Sequence, residues 1–229
     1  MRISKMRNND EVLSSNYYTV KNERENYYYV VKRTVDICGS LLGLILFFPL
    51  FLVIGVFIKI SDSKGTIFFT QNRIGQQGKA FNIYKFRSMV SNAEQRLLTD
   101  PKLYKKYLEN NYKLEPHEDP RITRVGKFLR KTSLDEIPQL INVLKGEMSL
   151  VGPRPVVREE LNEYMDRVVD FLSVKPGVTG YWQISGRSNV RYPERVDLEL
   201  HYVYNQTFWF DMKILFKTIL IVVLKRGAY

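Results

Sequence analysis

The strongest pattern in the chain is an unbroken apolar run over residues 37–58, ICGSLLGLILFFPLFLVIGVFI. Its 22 residues carry no charge, and about 20 apolar residues suffice to cross a bilayer as a helix. A cleaved signal peptide has a shorter apolar core, nearer the N-terminus, ending in small residues. This run starts after about 35 mostly polar positions, so it reads as a retained membrane segment. Lys32 and Arg33 flank one end, and Lys59 and Lys64 the other. A simple span is expected to be lopsided in Lys and Arg. Pro49 lies mid-run, where it removes a backbone hydrogen bond and kinks a helix. A bent helix that enters and leaves on the same membrane face fits both facts. A kinked ordinary span is the alternative.

The rest of the chain alternates short helical and extended patterns. Residues 1–31 are polar, rich in Asn and Tyr and without period, which predicts a mobile arm or loose helix. Segments 66–70 (TIFFT) and 80–89 (AFNIYKFRSM) read as strands, joined by a turn on the glycines of RIGQQGKAF. Ser91 with Glu94 signals a capping box. Asp100-Pro101 starts another helix, 113–126 reads as loop, and 126–131 as helix. A further helix is expected from near Asp135 to Leu144, with Gly146 as its stop. Spacings of three and four predict an amphipathic helix over 155–172. Residues 178–185 (VTGYWQIS) read as extended, and 192–206 as helix. Segment 208–224 is strongly apolar with three charges, aromatic at its start, and followed by Lys225-Arg226. It suits either a helix in the membrane interface or a buried core helix. The fold class expected is mainly α with a few short strands (α+β), one compact domain fused to a membrane anchor.

Charge narrows the partners. The formal net charge is +11 and the pI about 9.6, which favours anionic ligands: nucleic acid, phosphorylated small molecules or an anionic membrane. The single cysteine, Cys38, excludes a disulfide framework or a zinc site built on cysteines.

The candidate chemistry lies in residues 130–155, RKTSLDEIPQLINVLKGEMSLVGPRP. Pro138 is tolerated in a first helical turn, which places Asp135 and Glu136 at a helix N-terminus. There the dipole favours ionised carboxylates. The plain reading is an N-cap, Asp135, followed by an ordinary first-turn acid. Against it stands the surrounding positive charge: Lys85, Arg87, Arg121, Arg124, Lys127, Arg130, Lys131 and Arg154. Arginine forks match phosphate oxygens, and magnesium shares one or two carboxylates with substrate phosphates. Taken singly, each of these cations reads as a solvated surface charge. His117 reads as exposed in a polar loop and His201 as packed. The glycosylation sequon Asn205-Gln206-Thr207 is discounted because nothing in the sequence suggests export. Phosphate-loop, dinucleotide-fold and nucleophile-elbow motifs are absent.

Together these segments resemble the bacterial sugar transferases, the monotopic polyprenyl-phosphate hexose-1-phosphate transferases (phosphoglycosyl transferases). The resemblance runs from about Lys32 to Tyr229. It rests on KRTVDICGSLLGLILFFP, QNRIGQQGKAFNIYKFRSM, DPRITRVGKFLRKTSLDEIPQLINVLKGEMSLVGPRP, KPGVTGYWQISGR and a terminal GAY. It implies a re-entrant membrane helix over 32–60 broken at Pro49, and a cytoplasmic catalytic domain over 61–229 whose interfacial helix spans about 208–224. It implies a UDP-sugar donor, with UDP-glucose or UDP-galactose favoured, and undecaprenyl phosphate as acceptor. Asp135 matches the nucleophile and a magnesium ligand, and Glu136 its catalytic partner. Arg130 and Arg154 match phosphate-contacting positions, with Lys85 and Arg87 as further substrate-binding positions. Mg2+ is the implied cofactor. The implied location is the cytoplasmic face of the bacterial cell membrane, with the bilayer as partner, no nucleic acid, and a homodimer as a candidate assembly. The implied role is the initiating step of exopolysaccharide, capsule or O-antigen type glycan assembly. Many relatives carry further membrane spans before the anchor; here about 31 polar residues precede it. Two rivals stand beside this reading: a transferase without covalent intermediate, and a membrane-tethered binder of anionic ligands.

Overall fold

The computed structural model describes residues 23–109, 114, 118–186 and 190–224. Residues 1–22, His117 and the terminal GAY lie outside that set. The polar arm expected over 1–31 is therefore described only from Glu23, where a long helix, α1 (Glu23–Ser61), already begins. The helix is assigned on both sides of Pro49, which is exposed within it.

A helical domain lies along α1. Strands β1 (Phe68–Ile74) and β2 (Ala80–Phe86) form an antiparallel hairpin, with Phe68 opposite Phe86 and Ile74 opposite Ala80. The Gln76–Gly78 turn joins them on the predicted glycines. Helices α2 (Ala93–Thr99) and α3 (Pro101–Glu109) follow. The capping box at Ser91 does not form: α2 starts after Asn92, and the Ser91 N–H donates to the Asp62 carboxylate at 2.6 Å. Asp100 does cap α3, accepting from the N–H groups of Lys102 and Leu103.

Helix α4 (Arg124–Thr132) is capped by Thr123, whose hydroxyl accepts from Gly126 N at 2.9 Å. A 3₁₀ turn, Leu134–Glu136, leads to α5 (Gln139–Lys145), which ends at Gly146 in the left-handed region, as expected. Strand β3 (Ser149–Val151) pairs in parallel with β4 (Gly177–Thr179). Between them the expected amphipathic helix over 155–172 is instead a 3₁₀ segment, Arg158–Arg167, followed by a short α6 (Val168–Phe171). Tyr164, Phe171 and Leu172 all reach one core cluster with Val156, Val196 and Leu200. The turn at Met165, φ 49°, breaks the helical path between them.

Residues 178–185 are not extended throughout. Helix α7 (Tyr181–Ser185) follows β4 directly. Tyr181 and Ile184, three apart, pack against the Val151, Tyr202 and Ile214 cluster, a spacing only a helix serves. Helices α8 (Glu194–Tyr204) and α9 (Phe208–Val223) are the last elements among the described residues. The fold is thus mainly α with two small sheets, as the pattern predicted.

Both ends of α1 are fastened to this one domain. At its start, Lys32 donates to Asp211 Oδ2 at 2.8 Å and to the Val151 carbonyl at 2.9 Å. Arg33 donates to the Val143 and Leu144 carbonyls at 2.6 and 2.8 Å, closing the C-terminal end of α5. Asp36 accepts from Leu150 N and Ser149 Oγ. Toward its other end, Ile54 and Ile58 bury against Phe86 and Leu129. Between these fastenings the opposite face stays bare, with Leu42, Ile45, Leu46 and Phe48 exposed. The basic flank at Lys32 and Arg33 is therefore spent on the domain.

Candidate active site

The site is assembled at the turn between α4 and α5. Asp135 and Glu136 sit in the 3₁₀ turn rather than in the first turn of a long helix, because Pro138 precedes α5 and Ser133 adopts φ 56° at the end of α4. Lys85, on β2, donates to Glu136 Oε1 at 2.6 Å. Arg130, on the last turn of α4, points back to Ser88 Oγ at 2.9 Å and lends positive potential to Asp135. Gly126 makes this placement possible: a Cβ there would lie 1.9 Å from the Ser88 carbonyl oxygen. Only a glycine lets α4 lie so close to the strand exit.

The electrostatics correct one expectation. Instead of being held ionised by a helix dipole, the Asp135 carboxyl is pushed up to about 6. Burial is the larger cause and the neighbouring Glu136 charge the second, opposed by Lys85 and Arg130. An acid in this state is half-buried and ionises at about 6, close to neutrality.

A pocket opens beside the pair. Its walls include Arg73, Lys85, Glu136, Gln139, Arg154 and Gln183. Arg154 follows β3 in the Gly-Pro-Arg-Pro corner. The corner is fixed by close approach of two glycines: a Cβ on Gly177 would lie 2.0 Å from Gly152 N. Gly177 N also donates to the Pro153 carbonyl at 2.8 Å. The Arg154 guanidinium lies 5.7 Å from the Trp182 ring centre, and its backbone N–H donates to Glu199 at 3.4 Å. Glu199 is buried beneath, accepting from Arg195 Nε at 3.1 Å and from the Tyr164 hydroxyl. Burial raises its carboxyl.

The structure therefore brings Lys85, Glu136 and Arg154 to one pocket, with Asp135 and Arg130 adjoining it. It does not bring Arg87 there. That side chain is buried against the end of α1, donating to the Asp62 carbonyl at 2.7 Å with the Asp62 carboxylate at 3.7 Å. Arg121 is bound at both ends by Asp119, at 2.8 Å each, while Arg124, Lys127 and Lys131 are exposed on α4. His201, expected to be packed, is exposed, with its ring 4.9 Å from that of Tyr181.

Sequence reasoning missed Arg73 and Gln139. Arg73 donates to Glu160 at 3.3 Å, and its guanidinium is depressed by burial and by the Arg154 charge. Two arginines that repel each other in one pocket mark a place for an anion. The signal for Gln139 was available: it stands four residues after Asp135, one helical turn on.

A basic pocket beside an acidic pair, on a helical domain seated along an apolar helix, is a site shaped for an anionic ligand. The model of the bacterial sugar transferase family matches residues 27–225, and the chain belongs to that family. A Salmonella typhimurium protein named undecaprenyl-phosphate galactose phosphotransferase is 48% identical over 202 residues, covering 87% of this chain and 42% of that protein. The exopolysaccharide production protein ExoY of Rhizobium meliloti is 45% identical over 204 residues, covering 87% and 88%. The UDP-glucose:undecaprenyl-phosphate glucose-1-phosphate transferase of Escherichia coli is 38% identical over 208 residues, covering 87% and 42%. The chain thus spans less than half the length of two of these relatives and most of the third.

Proposed function

We propose that the protein transfers a hexose-1-phosphate from UDP-glucose or UDP-galactose to undecaprenyl phosphate and releases UMP, the initiating step of exopolysaccharide, capsule or O-antigen type glycan assembly. The observation that carries this reading is the half-buried Asp135 beside Glu136, set between Lys85 and Arg130, with Arg154 and Arg73 on the adjoining pocket wall. The donor and acceptor classes are those in the relatives' names.

Asp135 is the nucleophile of this reading. Its carboxylate oxygen attacks the sugar-bearing phosphorus, and the bond from that phosphorus to the bridging oxygen of UMP breaks, leaving a phospho-sugar aspartyl ester. An oxygen of the lipid phosphate then attacks the same phosphorus and frees the carboxylate. Phosphoryl transfer depends chiefly on positioning and charge neutralisation, and Arg154, Arg73, Arg130 and Lys85 supply cationic groups for both. Glu136, fixed by Lys85, raises the proton affinity of Asp135 in the resting site and orients the turn.

Magnesium fits the donor set. Among the described residues no group of three or more His, Cys, Asp or Glu gathers, and Mg2+ commonly takes only one or two carboxylates beside substrate phosphates. Asp135 would hold it, and when bound it neutralises diphosphate charge.

The apolar face of α1 would lie in the bilayer at the cytoplasmic side. A straight perpendicular span carries one end away from a domain on one side, whereas Lys32, Asp36, Ile54 and Ile58 all contact the same domain. A bend at Pro49 would let the helix dip in and return. The exposed Trp209 and Phe216 of α9 suit the headgroup boundary.

The test uses membranes, Mg2+, undecaprenyl phosphate and labelled UDP-sugars, comparing wild type with Asp135→Asn. Label in the lipid phase and UMP released, both lost in the variant, is the expected result. Transfer that survives the substitution would refute the covalent route and favour direct attack by the lipid phosphate.

A further inference from the structure

Gln139 is 2% exposed, yet its side-chain amide has no hydrogen-bond partner among the described residues, and the side chain lines the pocket. Buried amides in native proteins are almost always paired, because leaving one unpaired costs free energy. An amide whose small remaining exposure opens onto a pocket is therefore a group whose partner there is whatever fills the pocket, water when it is empty and the ligand when it is bound. Its neighbours on that wall divide the work. Arg73, Lys85 and Arg154 are cations suited to phosphate oxygens. Gln139 is neutral and offers two N–H donors and one acceptor. That set matches a hydroxyl, which both donates and accepts, better than a phosphate, which only accepts. Position points the same way. Gln139 begins α5 four residues after Asp135 and shares the pocket wall with Glu136, which puts it on the side of the pocket nearest the proposed nucleophile, where the sugar-bearing phosphate would sit.

We infer that Gln139 is a specificity-determining residue that hydrogen-bonds a hydroxyl of the transferred sugar. The inference rests on the proposed transferase reading and deepens it. It makes the first turn of α5 part of the sugar subsite, with the diphosphate on the arginine side of the pocket.

The experiment measures kcat/KM for the preferred UDP-sugar and for its singly deoxygenated analogues, together with inhibition by UMP, in wild type and in Gln139→Leu. The wild type is expected to prefer the parent sugar over one deoxy analogue by roughly 3- to 30-fold, the worth of one ordinary hydrogen bond or a little more. In Gln139→Leu that preference collapses to near unity while the UMP inhibition constant stays unchanged, since UMP lacks the transferred hexose. Thermal melting of the ligand-free variant is expected within about 2–4 °C of the wild-type midpoint, because the amide makes no hydrogen bond within the described protein and the substitution changes the side chain only at the pocket wall. A preference that persists in the variant, or UMP affinity that falls in step with the sugar's, would overturn the assignment; the second result would place the amide on the phosphates. If wild type neither turns over a UDP-sugar nor binds UMP, the transferase reading itself has failed. If wild type does both and only the Gln139 signature is missing, this inference alone has failed.

Discussion

Replacing Asp135 by Asn should make the ligand-free protein more stable while abolishing its proposed activity. The Asp135 carboxyl stands at about 6 against an ordinary 3.8, so the folded protein holds that proton more tightly than the unfolded chain. Stability is then lost as pH rises between those values, and the cost is complete above about pH 6. At about 1.4 kcal/mol per pKa unit the shift corresponds to about 3 kcal/mol. Because Asp135 is only partly buried and solvent screens part of the effect, about 1–3 kcal/mol is the working range. Asn keeps the shape and cannot ionise. For a chain of this size about 1 kcal/mol moves the melting midpoint by about 2–4 °C. The variant in detergent should therefore melt about 2–12 °C above wild type at pH 8 and at nearly the same temperature at pH 4. Scanning fluorimetry across that pH range, without metal or nucleotide, reads both. A variant that melts lower at pH 8, or a gain that does not vanish in acid, would refute the claim that burial and Glu136 hold Asp135 in a costly state.

Other consequences follow from the same geometry. If ionised Asp135 is the nucleophile, kcat/KM should rise with pH through a limb near 6, measured as UMP release at saturating lipid phosphate. Gly177→Ala puts a Cβ against Gly152 N, and the displaced Gly-Pro-Arg-Pro corner should cost about 1–3 kcal/mol or more, seen as a lower melting midpoint and lost transfer. Removing one member of the Lys32–Asp211 pair, 13% and 6% exposed, should destabilise by about 3–5 kcal/mol; a double-mutant cycle with Lys32→Met and Asp211→Leu should show the second loss to be much smaller. Leu46→Lys, on the bare face of α1, should shift the protein out of the membrane fraction, since a lysine at mid-membrane costs about 2.5–3.5 kcal/mol.

Much of this protein is written locally. The apolar run over 37–58, the Gly146 stop, the Asp100 and Thr123 caps and the hairpin turn at Gln76–Gly78 each depend on neighbours a few residues away. Such features follow from backbone chemistry and side-chain period, so sequence alone determines them. The acidic pair and the basic residues around it were legible for the same reason, as was the family resemblance. What only the tertiary structure decided was which charges meet. Lys85 and Arg87 are two apart on one strand exit, yet one reaches Glu136 and the other is consumed by Asp62. Arg121 is taken by Asp119, and Arg73 joins Arg154 from far away in the chain. The Asp135 carboxyl rises instead of falling because burial and a like charge, both set by packing, outweigh the local helix dipole. Desolvation and charge pairing depend on every element around a group, and no local pattern encodes that sum.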